Sequence, residues 1–305
     1  MAPQTKNRHT RYYFEDGSVV FLTSDKTLFR LHKSILKLHS PFFDDLFQLD
    51  QPDVKDGSGK SLPPEGSSDD KPIAADVQDV EFEAMCKALY EMPLTSAKEL
   101  SVDHAVSLLL VSTKFQFEKI HKQVVDMLEE CALSPWRRYA LAIDCLVDPW
   151  IVRSYIEICS SVEYNPGEIL AEFARRNETE KLSRLMTVRE DYRTKLLMFS
   201  YGSAAYPYPK HNPPASAICN SCLPNLKTAL RQMLSGDGIP AGSNGVDVAA
   251  TPLLPDRFTR MIQPNAPSPV TICGTCRQKE KLIVSQILGV EDLEAEVKKV
   301  MHLTK

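Results

Sequence analysis

The stretch GSVVFLTSDKTLFRLHKSILKLHSPFFDDLF, residues 17–47, decides the fold. Val19-Val20-Phe21-Leu22 is a short β-type run. A polar turn, Thr23 to Lys26, separates it from Thr27-Leu28-Phe29-Arg30-Leu31, whose alternation fits a strand with one buried face. The pair reads as a hairpin. After His32 the apolar period lengthens to three or four, through Ile35, Leu36 and Leu38 and then Phe42, Phe43, Leu46 and Phe47. Between these two sets stands Ser40-Pro41. A serine oxygen can cap a helix, and proline suits the first helical position because it has no N–H to leave unpaired. A hairpin therefore feeds two short helices.

The order Asp16-Gly17, apolar strand, turn, LFRLHKSIL, HSPFFDDLF resembles the first half of a BTB/POZ domain, in wording most like the BTB proteins of filamentous and mushroom-forming fungi. The resemblance implies that Leu28 to Lys33 is the second strand running into the first helix, and that Ser40-Pro41-Phe42-Phe43 opens the second. It also implies a protein-interaction module with no chemistry of its own. In that family the segment before the first strand often takes part in dimer contacts. Tyr12 and Tyr13, in a leading run Arg11 to Glu15, are the candidate partner-interface residues; aromatic edges packed on their own domain are the competing reading.

With 305 residues the chain has room for two domains, or for one domain with helical extensions. Hydrophobic residues at 43% and charged residues at 25% are ordinary for a folded protein. The 36 basic and 40 acidic residues sum to −4 with no extended basic stretch, so electrostatics do not indicate nucleic acid. Lys6, Arg8 and Arg11 read as a solvated tail. No apolar run approaches the roughly 20 residues that span a bilayer, and MAPQTKNRHT lacks an apolar signal core. The expected location is the cytoplasm or nucleus. Thiols stay reduced there, so the eight cysteines are not expected to form a disulfide framework.

Further along, residues 54–71 are rich in glycine, serine, proline and acids, and read as a disordered insert before a third strand at about 72–77. Helices are expected over 81–92, 102–113 and 118–132, which completes the α+β resemblance at about Leu133. Ser134-Pro135, Asp148-Pro149 and Asn165-Pro166 each set an N-cap side chain beside a proline, announcing helices over 135–147, 149–161 and 166–176; another covers 178–199. This region is similar to a shortened BACK-like extension. Residues 201–272 are proline-rich, with helix patterns at 225–234 and 278–288, the latter extendable over 291–303. The domains are thus 11–133, BTB/POZ-like, a small sheet capped by helices; 134–200, an all-α extension; and 201–305, a helical C-terminal module.

That module repeats one device, Ile218-Cys219-Asn220-Ser221-Cys222 and Ile272-Cys273-Gly274-Thr275-Cys276. Two residues between cysteines let both sulfurs reach one tetrahedral metal from a tight turn, and two such turns make a four-thiolate site. Each pair leads into a helix, whose N-terminus favours thiolate. A structural zinc on Cys219, Cys222, Cys273 and Cys276 would close the long intervening loop. The alternatives are four small buried hydrophobes, a redox pair, or His211 in place of one ligand. Cys86, Cys131, Cys145 and Cys159 fall in helical stripes and read as core.

No Gly-rich phosphate loop, His-Glu-x-x-His or Gly-x-Ser-x-Gly is present, and the seven histidines have no acid partner at a telling spacing, so no enzyme is expected. The reading is an intracellular, homodimeric scaffold or adaptor with a zinc-stapled C-terminal module. Within the binding class the resemblance suggests a substrate adaptor for a cullin-type ubiquitin ligase or a transcription-associated dimer. A zinc-dependent or redox enzyme in the C-terminal half is the rival class.

Overall fold

The computed structural model describes residues 6–49, 63–91, 100–131, 133–161, 166–202, 218–235, 258 and 270–302. The chain forms two compact units, Met1–Ala132 with Asp144–Leu146, and Leu133–Ile143 with Val147–Lys305.

In the first unit, β1 (Asn7–Tyr13), β2 (Val19–Leu22), β3 (Thr27–Leu31) and β4 (Ile73–Ala74) form one sheet in the order β1-β3-β2-β4. The expected hairpin is there, antiparallel, with Phe21 opposite Phe29. β1 pairs parallel to β3, and β4 parallel to β2. Leu28 and Phe29 are neighbours in sequence and both buried, as are Val19, Val20 and Phe21, so the two central strands are covered on both faces. That differs from the single buried face expected of β3, since Leu28 is as buried as Phe29 beside it.

Helices α1 (Lys33–His39) and α2 (Pro41–Gln48) meet at Ser40. Its N–H closes α1 on the Leu36 carbonyl, its Oγ accepts from the Phe43 N–H at 3.1 Å, and its hydroxyl donates to the Phe115 carbonyl at 2.6 Å. Phe43, fully buried, stacks or tilts against Phe47, Phe115 and Phe117 and meets Phe21 edge-on. α3 (Asp79–Tyr90), α4 (Val102–Lys114) and α5 (Glu118–Glu129) complete the unit. Of the expected insert, residues 54–62 lie outside the described residues. The remainder, 63–71, is tied down: Gly66 receives an N–H from Val20 and gives its own to Lys71, and Asp69 takes hydrogen bonds from Arg8 and Tyr13. A polar composition predicts poor burial, and most of this segment is exposed, yet β2 holds Gly66 and β1 holds Asp69.

The second unit holds α6 (Pro135–Asp144), α7 (Asp148–Ser160), α8 (Pro166–Arg175), α9 (Thr179–Ser200), α10 (Leu223–Ser235), the single turn α11 (Gly274–Arg277), α12 (Glu280–Leu288) and α13 (Val290–Val300). Three corners share one geometry. Gln116, Leu146 and Asn177 each adopt positive φ, of 54°, 58° and 56°. The next residue, Phe117, Val147 or Glu178, sends its N–H back to Ser112, Ala142 or Phe173, and is itself the N-cap of the following helix. This is a left-handed C-terminal cap run straight into a helix start. It corrects one expectation: Asp148 lies in the first turn of α7 rather than at its cap, since Val147 holds that place. Gly289, at φ 55°, separates α12 from α13 where one longer helix was expected.

The extension 134–200 and the module 201–305 share a single core. Tyr139, Ile158, Phe173, Leu185 and Tyr192 pack in one cluster with Leu226, Leu230, Phe258, Ile283, Ile287 and Val297. The C-terminal helices lacked an obvious core in the sequence because theirs is supplied by α6 to α9.

Candidate metal centre and interaction surface

Both Ile-Cys-x-x-Cys turns anchor through their isoleucines. Ile218 and Ile272 are buried in the second unit's core, which brings two segments far apart in sequence side by side. Asn225, in the first turn of α10, donates its side-chain amide to the Thr271 carbonyl at 2.7 Å and ties the two turns together. Nothing in the sequence marked Asn225; only its partner across the chain gives it a role.

The result is a cluster in which the sulfurs of Cys219, Cys222, Cys273 and Cys276 all lie within 4.8 Å of one another. Cys219 is 3.8 Å from Cys273 and 3.7 Å from Cys276, sulfur to sulfur. Four sulfurs at about 2.3 Å from one tetrahedral ion stand about 3.8 Å apart, so the spacing and the donor set fit zinc. Each turn contributes one exposed and one buried thiol: Cys219 and Cys273 face solvent, while Cys222 and Cys276 are buried. Hydrogen bonds from the Cys222 thiol and N–H pull Cys219 down to about 6, and the Cys276 N–H and thiol pull Cys273 down. Burial pushes Cys222 up to about 12 and Cys276 upward too. The Cys273 N–H points at the Cys222 sulfur at 3.1 Å, which favours a thiolate there once a cation compensates it. Four protein ligands make a closed set, with no position left for a reacting water.

The other cysteines are reduced and separate. Cys86 and Cys159 are buried in α3 and α7, and burial raises both thiols. Cys145, just past α6, is buried as well, whereas Cys131, just past α5, is only partly so and is not the core residue its stripe suggested. His32 sits at the strand-to-helix junction, its Nδ1 3.2 Å from the Tyr90 hydroxyl and its Nε2 3.2 Å from Asp16. His211 lies outside the described residues.

The two tyrosines named for a partner interface face inward or sideways. Tyr12 is buried, its hydroxyl donating to Glu91; burial and that bond raise it well above the usual range. Tyr13 is half-buried, its hydroxyl donates to Asp69 at 2.5 Å, and Arg8 lies 4.6 Å over its ring. What β1 presents outward is its backbone, as a sheet edge with no neighbour among the described residues. Leu38 on α1 (78% exposed) and Leu49 after α2 (67%) are large apolar side chains in solvent. No described helix is long and apolar enough to cross a membrane.

The sequence model of the BTB/POZ domain family matches residues 14–132, the stretch that holds β2 to β4 and α1 to α5. No curated protein and no solved structure matches the chain.

Proposed function

From the premise that this chain carries a BTB/POZ domain at residues 14–132, we propose that it is an intracellular, non-catalytic scaffold that pairs with a second copy of itself and holds a structural zinc near its C-terminus. The domain match carries the interaction role, because such domains bind proteins. Support for self-association comes from β1, an outer strand of the sheet with no further strand beside it among the described residues, and from the exposed Leu38 and Leu49. A sheet edge repeated on an identical copy suits a two-fold contact. Whether the dimer serves as a cullin-type ubiquitin-ligase adaptor or in a transcription-associated complex is decided by the partner it recruits. A fungal-type BTB chain with a BACK-like extension over residues 134–200 would suit either.

Cys219, Cys222, Cys273 and Cys276 would hold the zinc, which supplies cross-linking rather than chemistry. Light scattering on the full chain tests the pairing: the expected mass is about 68 kDa, twice the 34.2 kDa of one chain. A monomer across the micromolar range refutes it. Metal analysis of protein purified under reducing conditions should give about one zinc per chain, and metal-free protein that stays folded refutes the thiolate site.

A further inference from the structure

Many cations in the second unit are ion-paired. Arg138 and Arg153 hold Glu157, Arg175 and Arg176 hold Glu172, and Lys181, Arg184, Lys195 and Lys298 each hold a carboxylate one turn away. Lys227 and Arg231 stand apart. One turn apart on the same face of α10, they have no carboxylate partner among the described residues. Each instead lies over an aromatic ring of the α9 terminus: the Lys227 ammonium is 4.8 Å from the centre of Phe199, and the Arg231 guanidinium 5.5 Å from that of Tyr201.

Beside them is a shallow, solvent-open recess of about 300 Å³, lined also by Ser200, Gly202 and Thr228. Gly202 turns the chain at φ +80°, and a side chain there would start 3.8 Å from the Lys227 ammonium. Arg231 is aimed by a 3.0 Å hydrogen bond from its Nη2 to the Thr228 hydroxyl, and its Nε is buried without a partner. Segment 218–235 contains no acidic residue, so nothing on α10 neutralises the pair. Aromatic faces fix both cations without cancelling their charge. Two fixed positive charges and a hydroxyl, converging on a pocket larger than one tetrahedral anion, suit a phosphate ester with room for what carries it.

We propose that the pocket formed by Lys227, Arg231 and Thr228 against the end of α9 binds a phosphate monoester dianion carried on a serine or threonine of a peptide. The open side lets a peptide chain pass, and exposed Tyr201 offers an apolar rim to its neighbouring side chains. A chain of net charge −4 repels nucleic acid overall, which favours the peptide source. The proposal does not rest on the zinc, although α10 begins one residue after Cys222 and would be steadied by it.

Calorimetry on the full chain, with the metal content it is purified with, tests this using N-acetyl-phosphoserine methylamide, its unphosphorylated counterpart and inorganic phosphate as probes. The phosphoserine probe should bind saturably, at least tenfold tighter than the serine probe and more tightly than inorganic phosphate, and should weaken as salt rises. The Lys227→Ala/Arg231→Ala variant should lose at least tenfold in affinity with unchanged tryptophan fluorescence and zinc content. Should that variant misfold, Lys227→Gln alone, which keeps the stem packed on Phe199, should still lose several-fold. Equal binding of serine and phosphoserine probes, or unchanged binding by the variants, overturns the site. Inorganic phosphate binding as tightly as the ester overturns the peptide source, as does a single-stranded oligonucleotide bound more tightly and lost in the same variant.

Discussion

Removing the metal from the cysteine cluster should loosen the second unit selectively, and two tryptophans make that visible. The chain has two, Trp136 and Trp150, both in that unit, and Trp150 is fully buried. The ion would join Cys222 to Cys273 across a span of 51 residues. Treated as a cross-link on the unfolded chain, closing a loop of that length is worth about 4 kcal/mol in chain entropy. For a unit of this size that is roughly 8–16 °C in midpoint temperature. The assay is thermal unfolding followed by tryptophan fluorescence, before and after treatment with a tight chelator under reducing conditions, with zinc added back. The tryptophan-detected transition should fall by that margin and recover on re-addition, and Cys222→Ser should reproduce the loss without chelator. A transition that does not move while the bound metal falls to zero would refute the cross-link reasoning: Ile218, Ile272 and the Asn225–Thr271 bond would then hold the two turns together unaided.

Ser40→Ala removes both the α2 cap and a buried bond to Phe115, and should cost about 2–4 kcal/mol in denaturant unfolding, against about 0.5–1 for Ser101→Ala, whose cap of His104 is exposed. Equal costs for the two would show that the Phe115 bond adds nothing. Leu146, 77% exposed with φ 58°, should gain about 0.5–1 kcal/mol as Leu146→Gly, read as a shift in the same midpoint. Glu178 is pushed up by burial, but hydrogen bonds from Lys181 and Tyr139 outweigh this and hold it below its ordinary 4.5. A lowered carboxylate stabilises above the unfolded value, so the second unit should lose stability as pH falls below about 4.5, and Glu178→Gln should flatten that loss in acid titrations of tryptophan fluorescence.

Much of the first unit was legible because its signals are local. The change of period after His32, and a serine and proline that can each do only a few things, place β2, β3, α1 and α2 within the quoted stretch. The parallel pairings of β1 on β3 and β4 on β2 were not legible, since no local pattern reports which distant strand lies alongside. Residues 63–71 were misjudged for a related reason: Asp69 looks like one more solvated acid until Arg8 and Tyr13 arrive from β1. At the corners, the cap at Val147 is made by backbone alone, so the Asp148-Pro149 pair drew attention to the wrong residue by one.

The amino-acid order alone determined that a β-ribbon leads into two capped helices, that helices follow to the end, and that four cysteines come in two matched pairs. Those features depend on side-chain type and spacing over a few residues. Folding in three dimensions decided that the pairs converge, that the last helices are buried on the middle ones, that Tyr12 turns inward, and that Lys227 and Arg231 share a pocket free of acids. Each of these is a meeting of groups distant in the chain, settled by which apolar faces are buried together.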